Sequence, residues 1–203
     1  MAVAGTDQDT TDARILAAAL DHVRRYGYER TTVVSVAREA GMTHANVYRY
    51  FPSKLALADA LTAAWLKPVE ADLAVIADAP DPADDKLERL LLAWASALRD
   101  ALEQDPNLFD VFTEASSAMR GVARKHRARV RMLIERILEE GLGSGIFVVK
   151  RMERAVALIH DGLFRFIHPL AIRLDRDVPR RLLDERLETV VRSTLRTLKA
   201  GGA

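Results

Sequence analysis

The side chains best suited to chemistry crowd one short stretch. Thr43, His44, Ala45 and Asn46 are consecutive, Tyr48, Arg49, Tyr50 and Lys54 follow, and Thr32 stands shortly upstream. Asn can pair bidentately with adenine, and His can donate to guanine N7 or to a phosphate. Ala45 is small enough to admit a base edge or to touch a thymine methyl. The hydroxyls of Thr32, Thr43, Tyr48 and Tyr50 and the charges of Arg49 and Lys54 suit phosphates. Such a set grips a nucleic-acid duplex. Elsewhere no nucleophile–base pair or metal-ligand spacing is legible, so the expectation is a binding protein, not an enzyme, with no metal and no cofactor.

These residues need helices to hold them. A first helix is expected from about Asp12, with Ile15, Leu16, Ala19, Leu20 and Val23 on one face and Gly27 as its stop. Thr32 is a plausible N-cap for a second, reaching Ala40, where Gly41 breaks it. Thr43 caps a short third helix through Tyr50, and Ser53 caps a fourth to Leu66. Two short helices joined at Gly41-Met42-Thr43 form a helix-turn-helix pattern. Val36, Ala37, Ala40, Met42 and Val47 would pack inward with Phe51, leaving the start of the third helix to enter a major groove. Backbone N–H groups opening helices two and four can add anion contacts.

The rest of the chain bounds the class. In 203 residues, 30 Lys and Arg face 29 Asp and Glu, and cysteine is absent. That excludes disulfides, zinc ribbons and thiol catalysis, and suits a reducing cytoplasm. Residues 13–55 hold seven Lys and Arg against three acids, so overall neutrality hides a basic head. No run approaches the roughly 18–20 continuous apolar residues of a membrane span, and the acidic start lacks the character of a signal peptide. Helical spacing recurs nearly throughout, with Thr31–Val36 and Ile146–Val149 the only strand-like runs. The fold class is therefore all-α, about nine helices, divided into a flexible arm (1–11), a helix-turn-helix domain (12–66) and a larger helical domain (67–203). Lys67-Pro68 is the expected joint, and Pro169 interrupts a helix of about 150–174.

The N-terminal quarter resembles the tetracycline-repressor (TetR) family of bacterial transcriptional regulators. The match runs from Ile15-Leu16 through Gly27-Tyr28-Glu29-Arg30-Thr31-Thr32 and Val36-Ala37-Arg38-Glu39-Ala40-Gly41-Met42-Thr43. It continues through Asn46-Val47-Tyr48-Arg49-Tyr50-Phe51-Pro52-Ser53-Lys54-Leu55. The resemblance implies that Thr32, Thr43, His44, Asn46, Tyr48, Tyr50 and Lys54 contact DNA. Tyr50 stands where the family often has His, and His22 where it usually has an aliphatic residue; His22 reads as a structural, partly buried histidine. The resemblance further implies a C-terminal dimerisation surface, often with a ligand cavity.

Independently, two terminal helices are apolar over wide arcs, and Leu163, Ile167, Leu183, Leu187, Val190, Val191, Thr194 and Leu198 are the expected homodimer interface. A two-fold protein would read two half-sites of a near-palindromic duplex. Trp94, Phe109, Phe112, Met119 and Phe164 could line a cavity for a small-molecule effector, with His126, His160 and His168 orienting it. The alternative for each is plain core. The run Arg120, Arg124, Lys125, His126, Arg127, Arg129, Arg131 reads as a solvated face paired with acids, and Gly141-Leu-Gly-Ser-Gly as a helix stop. The function expected is a sequence-specific regulator, a repressor released by its ligand, with helix four and the Lys67-Pro68 joint as transmitters. The alternatives are a TetR-like binder without a ligand, a sequence-neutral architectural protein, and a helical enzyme with a DNA-binding head.

Overall fold

The computed structural model describes residues 6–202, with side chains from residue 11 onward. Among them the backbone forms ten α-helices and no strand: α1 Thr6–Tyr26, α2 Val33–Glu39, α3 His44–Tyr50, α4 Lys54–Asp78, α5 Ala83–Gln104, α6 Pro106–Ser117, α7 Gly121–Gly143, α8 Met152–Ile167, α9 Pro169–Leu174 and α10 Arg180–Lys199. Counting α8 and α9 as one rod broken at His168-Pro169 gives nine. Residues 6–11 of the expected arm belong to α1, and residues 1–5 lie outside the described residues. The run 146–149 is irregular; its Val148 N–H donates to the Leu198 carbonyl at 2.8 Å.

The fourth helix, expected to end at Leu66, continues through Lys67-Pro68. Pro68 lies inside α4, at the cost of the hydrogen bond its missing N–H would have made. Buried Leu61 and Leu66 before it, and Leu73 and Ala77 after it, hold the helix through the proline. At His168 the chain does break: the residue is extended (φ −87°, ψ 121°), as the position before a proline prefers, and Pro169 opens α9. Met152–Leu174 is apolar and long enough on composition alone to cross a membrane. That break divides it, and Arg165 within it pairs with Asp175 at 2.6 Å.

The chain separates into two compact units. The first comprises residues 1–66 with 104–123, the second residues 67–103 with 124–203. Residues 104–123 fall with the N-terminal unit. The physical reason is packing. Leu108 and Val111 of α6 sit in the same buried cluster as Ile15, Val23, Val36 and Val47. The Arg24 guanidinium grips the Asp105 carboxylate with bonds of 2.8 and 2.9 Å. Asn107 donates to the Arg24 carbonyl at 2.9 Å, satisfying an orphan acceptor at the end of α1. Arg120 lies 3.1 Å from Asp59.

In the second unit α8 packs on α10, where a Cβ on Gly162 would lie 3.6 Å from Val190 and 3.8 Å from Thr194. Arg99 of α5 donates to the carbonyls of Asp175 and Arg176, at 3.0 Å each, tying down the turn before α10. Arg180 anchors the start of α10 to Ser96, Asp100 and Glu103. Buried Lys86 pairs with Glu140 and donates to the Ala77 carbonyl. Gly141, within α7, lies under the Phe147 ring, which a Cβ there would meet at 2.1 Å.

Candidate nucleic-acid interface and interior polar cluster

The first unit positions its polar surface through caps and one turn. Thr32 and Ser35 form a reciprocal capping box: the Ser35 N–H donates to the Thr32 hydroxyl at 3.0 Å, and the Thr32 N–H to the Ser35 hydroxyl at 3.0 Å. Gly41 takes φ +67°, a left-handed conformation that favours glycine, and the Met42 N–H then closes on the Ala37 carbonyl at 2.9 Å. Thr43 caps α3 by accepting the Asn46 N–H at 3.2 Å. Its own hydroxyl hydrogen remains available to donate outward.

α3 therefore divides cleanly by side. Val47 is fully buried and Phe51 nearly so, while Thr43, His44, Ala45, Tyr48 and Arg49 are exposed and Asn46 and Tyr50 half-buried. Arg49 donates to the Tyr50 hydroxyl at 2.9 Å and lies 5.0 Å from its ring centroid, which steadies both. Lys54 is not free-standing. Its ammonium donates to the Glu29 carbonyl at 3.2 Å and lies 4.3 Å from the Tyr28 ring centroid, leaving further donors on the same nitrogen. Burial raises the Tyr28 hydroxyl above its usual range, so the ring meets Lys54 as a neutral phenol.

Of the basic residues in this head, Arg24 and Arg25 are taken by Asp105 and Glu39, and Arg14 donates to the Ala40 carbonyl. Arg30 and Arg38 are exposed. Nothing in their spacing separates a phosphate contact from an ordinary surface charge. His22 is 6 % exposed, with Nδ1 3.1 Å from the Thr31 hydroxyl, and is a structural histidine.

The eight residues expected around an effector are divided between the two units. Phe109, Phe112 and Met119 belong to the first unit and Trp94, His126, His160, Phe164 and His168 to the second. Met119 is 61 % exposed and Phe164 54 % exposed, so neither lines an interior. Phe109 and Phe112 are buried beside Trp65, with ring centroids 6.2 and 5.7 Å away. Phe164 stacks on His168 at 4.6 Å. Trp94, His126 and His160 do converge: the Trp94 ring lies 6.3 Å from His126 and 5.8 Å from His160, at steep interplanar angles.

Glu70 supplies what the sequence reading missed, because it reaches this cluster from α4 across 56 positions. Its carboxylate lies 3.0 Å from His126 Nδ1 and accepts from Arg129 at 2.5 Å. Burial, the largest single influence, would raise the Glu70 carboxyl; the hydrogen bonds from His126 and Arg129 together outweigh it and hold the group below its usual range. His160 is pushed down by burial and then by Arg131 and Arg127, so it is neutral at physiological pH. Ser96, Arg99, Phe166, Ile172, Leu183 and Leu187 surround a separate hollow of about 30 Å³ in the same unit, room for about one water.

The expected dimer residues are mostly interior within a single chain. Leu163, Ile167, Leu183, Leu187, Val191, Thr194 and Leu198 are buried within a single chain, and Val190 is half-buried against Gly162. Much of their wide apolar arc is taken up by α8–α10 packing and the interior of the unit. In the basic run that leads into α7, Arg120, Arg129 and Arg131 pair with Asp59, Glu70 and Glu135, while Arg124, Lys125 and Arg127 are exposed.

Comparison with known proteins bears on both units. Residues 83–191 match the family model described as the tetracyclin repressor-like C-terminal domain, and residues 15–61 match that of bacterial regulatory proteins of the tetR family. A relative in Mycobacterium bovis, described as an uncharacterized HTH-type transcriptional regulator, is 27% identical over 145 residues, spanning 71% of this chain and 69% of that protein. The fold is shared with RolR in complex with resorcinol (TM-score 0.65, 18% identity, covering 95% of this chain and 89% of that one). It is shared also with FadR of Bacillus subtilis in complex with stearoyl-CoA (TM-score 0.63, 19% identity, 93% and 98%).

Proposed function

From a chain that belongs to the TetR family of bacterial transcriptional regulators, we propose a homodimeric repressor that reads a near-palindromic operator and is released by a small-molecule effector. The observation that carries the DNA reading is the division of α3: Val47 and Phe51 are buried while His44, Ala45, Tyr48 and Arg49 face out beside Asn46. α3 enters the major groove, with Asn46 and His44 on base edges and Ala45 allowing close approach. Thr32, Thr43, Tyr48, Arg49, Tyr50 and Lys54 hold phosphates, joined by exposed Arg30 and Arg38. The protein works in the cytoplasm, at the chromosome.

For dimerisation the surface-exposed sides of α8 and α10, carrying Gly162, Leu182 and Thr189 with Val190 at the margin, replace the buried residues of the sequence reading. The effector reading is supported by the family's C-terminal model and by the small molecules bound to RolR and FadR. Trp94, His126 and His160 are its proposed contacts. α4 carries both Lys54 and Glu70, which makes it the proposed transmitter, for a coupling on the order of 1–3 kcal/mol. Selection of bound sequences from random duplex DNA tests the reading. It should return a two-fold motif with half-sites about one helical turn or more apart; equal retention of all sequences would instead make this an architectural binder.

A further inference from the structure

Arg120 puts a guanidinium inside the first unit, where the DNA reading gives it no task. Its side chain is 9 % exposed, and a charge so placed is costly unless it is paired. Nε lies 3.1 Å from the Asp59 carboxylate of α4, and Nη2 donates to the Val111 carbonyl of α6 at 3.4 Å. Nη1 is buried with no hydrogen-bond partner among the described residues. The turn that carries this residue is strained. Met119 takes φ +50°, a left-handed conformation that a side chain resists, and the Arg120 N–H closes the end of α6 on the Ala115 carbonyl at 2.8 Å. From Gly121 the chain runs on as α7, which belongs to the second unit from residue 124.

On α4, Asp59 stands five positions after Lys54, about 7.5 Å along the helix axis. Both ends of that span converge on Tyr28. The Lys54 ammonium lies 4.3 Å from its ring centroid and donates to the Glu29 carbonyl, while Asp59 and Arg120 both act electrostatically on its hydroxyl. Buried Leu57, Ala58 and Leu61 fix the inner side of α4, but apolar contact is non-directional and tolerates a small roll or slide of the helix. An ion pair to one carboxylate does not. We propose that Arg120 is a positioning residue for the DNA contact of Lys54: its hold on Asp59 sets the register of α4, and with it the place of the Lys54 ammonium on the phosphates. The inference rests on the DNA reading above. It makes the α6–α7 turn, and not α4 alone, a point at which the phosphate grip is adjusted.

The test measures affinity of the full chain for the selected operator duplex and for an unrelated duplex over a range of salt concentrations. Asp59 is 37 % exposed, so Asp59→Asn probes the link without emptying the interior. It should weaken both duplexes about five- to tenfold and reduce the slope of log affinity against log salt by about one, as loss of a phosphate contact does. In a Lys54→Ala background the same change should cost less than about twofold, because the contact it positions is already gone. Arg120→Lys, which keeps the charge, should recover most of the affinity that Arg120→Gln loses. Should Arg120→Gln fail to fold, the Asp59→Asn measurements decide alone. Removing a negative charge near DNA would by itself tighten binding, so a tighter Asp59→Asn overturns the inference. A full loss repeated without Lys54 does the same. The wild-type chain separates the two claims. Operator preference with an indifferent Asp59→Asn removes the role of Arg120 and leaves the regulator standing, whereas equal retention of all duplexes with the slope loss intact does the reverse.

Discussion

The two units place their chemistry in opposite ways. In the first, the groups that matter lie on the surface of one seven-residue helix and its flanks, and each is aimed by a neighbour a few positions away: Thr43 by the Asn46 N–H, Arg49 by Tyr50, Thr32 by Ser35. In the second, the polar cluster is interior and comes from Glu70, Trp94, His126 and His160 on four different helices. A reading head made of local structure can change its contacts without disturbing the core. An interior cluster cannot, because each member also fills space.

That contrast can be broken by substitution. The largest effect is expected from Asn46→Ala, which should cost about 1–3 kcal/mol of discrimination between operator and unrelated duplex, measured as the ratio of the two affinities, with the melting temperature unchanged. A melting temperature that fell with the discrimination would mean that α3 is not independent of the core. Next comes Gly141→Ala. Its Cβ would collide with the buried Phe147 ring, and overpacking of this kind costs about 1–3 kcal/mol. Thermal unfolding should register that loss, while the operator-to-unrelated ratio stays as it was.

Smaller effects sharpen the boundary. Thr43→Ala removes the cap on α3 and should cost about 1 kcal/mol of stability, with weakened operator binding alongside. It is the one substitution here expected to move both readouts. Lys54→Ala should weaken binding to all duplexes and reduce the slope of log affinity against log salt by about one; an unchanged slope would assign Lys54 to its Tyr28 and Glu29 contacts alone.

The smallest effect is a pH dependence. His160 and His168 are both pushed below their usual value, chiefly by burial. The unfolded chain therefore binds protons that the folded one resists. Stability should be at its plateau above about pH 6.5, the unfolded histidine value, and fall as acid is added until the folded groups titrate. His160→Gln should flatten part of that slope in denaturant titrations between pH 7.5 and 5.5.

Which features were legible in the sequence follows the same division. Thr32, Gly41, Thr43 and Val47 announce their roles through cap chemistry, a left-handed turn and a buried register, all set within a few residues. The helices α5, α7 and α10 were readable from apolar periodicity. What periodicity could not reveal was which partner an apolar arc meets. Leu183, Leu187 and Leu198 looked like surface for a second copy, yet they are buried in their own chain. Proline at 68 signalled a break that flanking burial overrode. Glu70 gave no local sign of meeting His126.

By itself, then, the amino-acid order determined an all-helical chain with a helix-turn-helix head and which side chains of α3 face out, because caps, turns and periodicity act over one or two turns of helix. Only the tertiary structure decided that 104–123 close the first unit through Asp105 and Leu108, that α8 and α10 consume each other's apolar faces, and that a buried indole stands beside a carboxylate-bound histidine. Those outcomes depend on contacts between residues far apart in the chain, and whether an apolar stripe or a lone polar group finds its partner is settled when the helices pack.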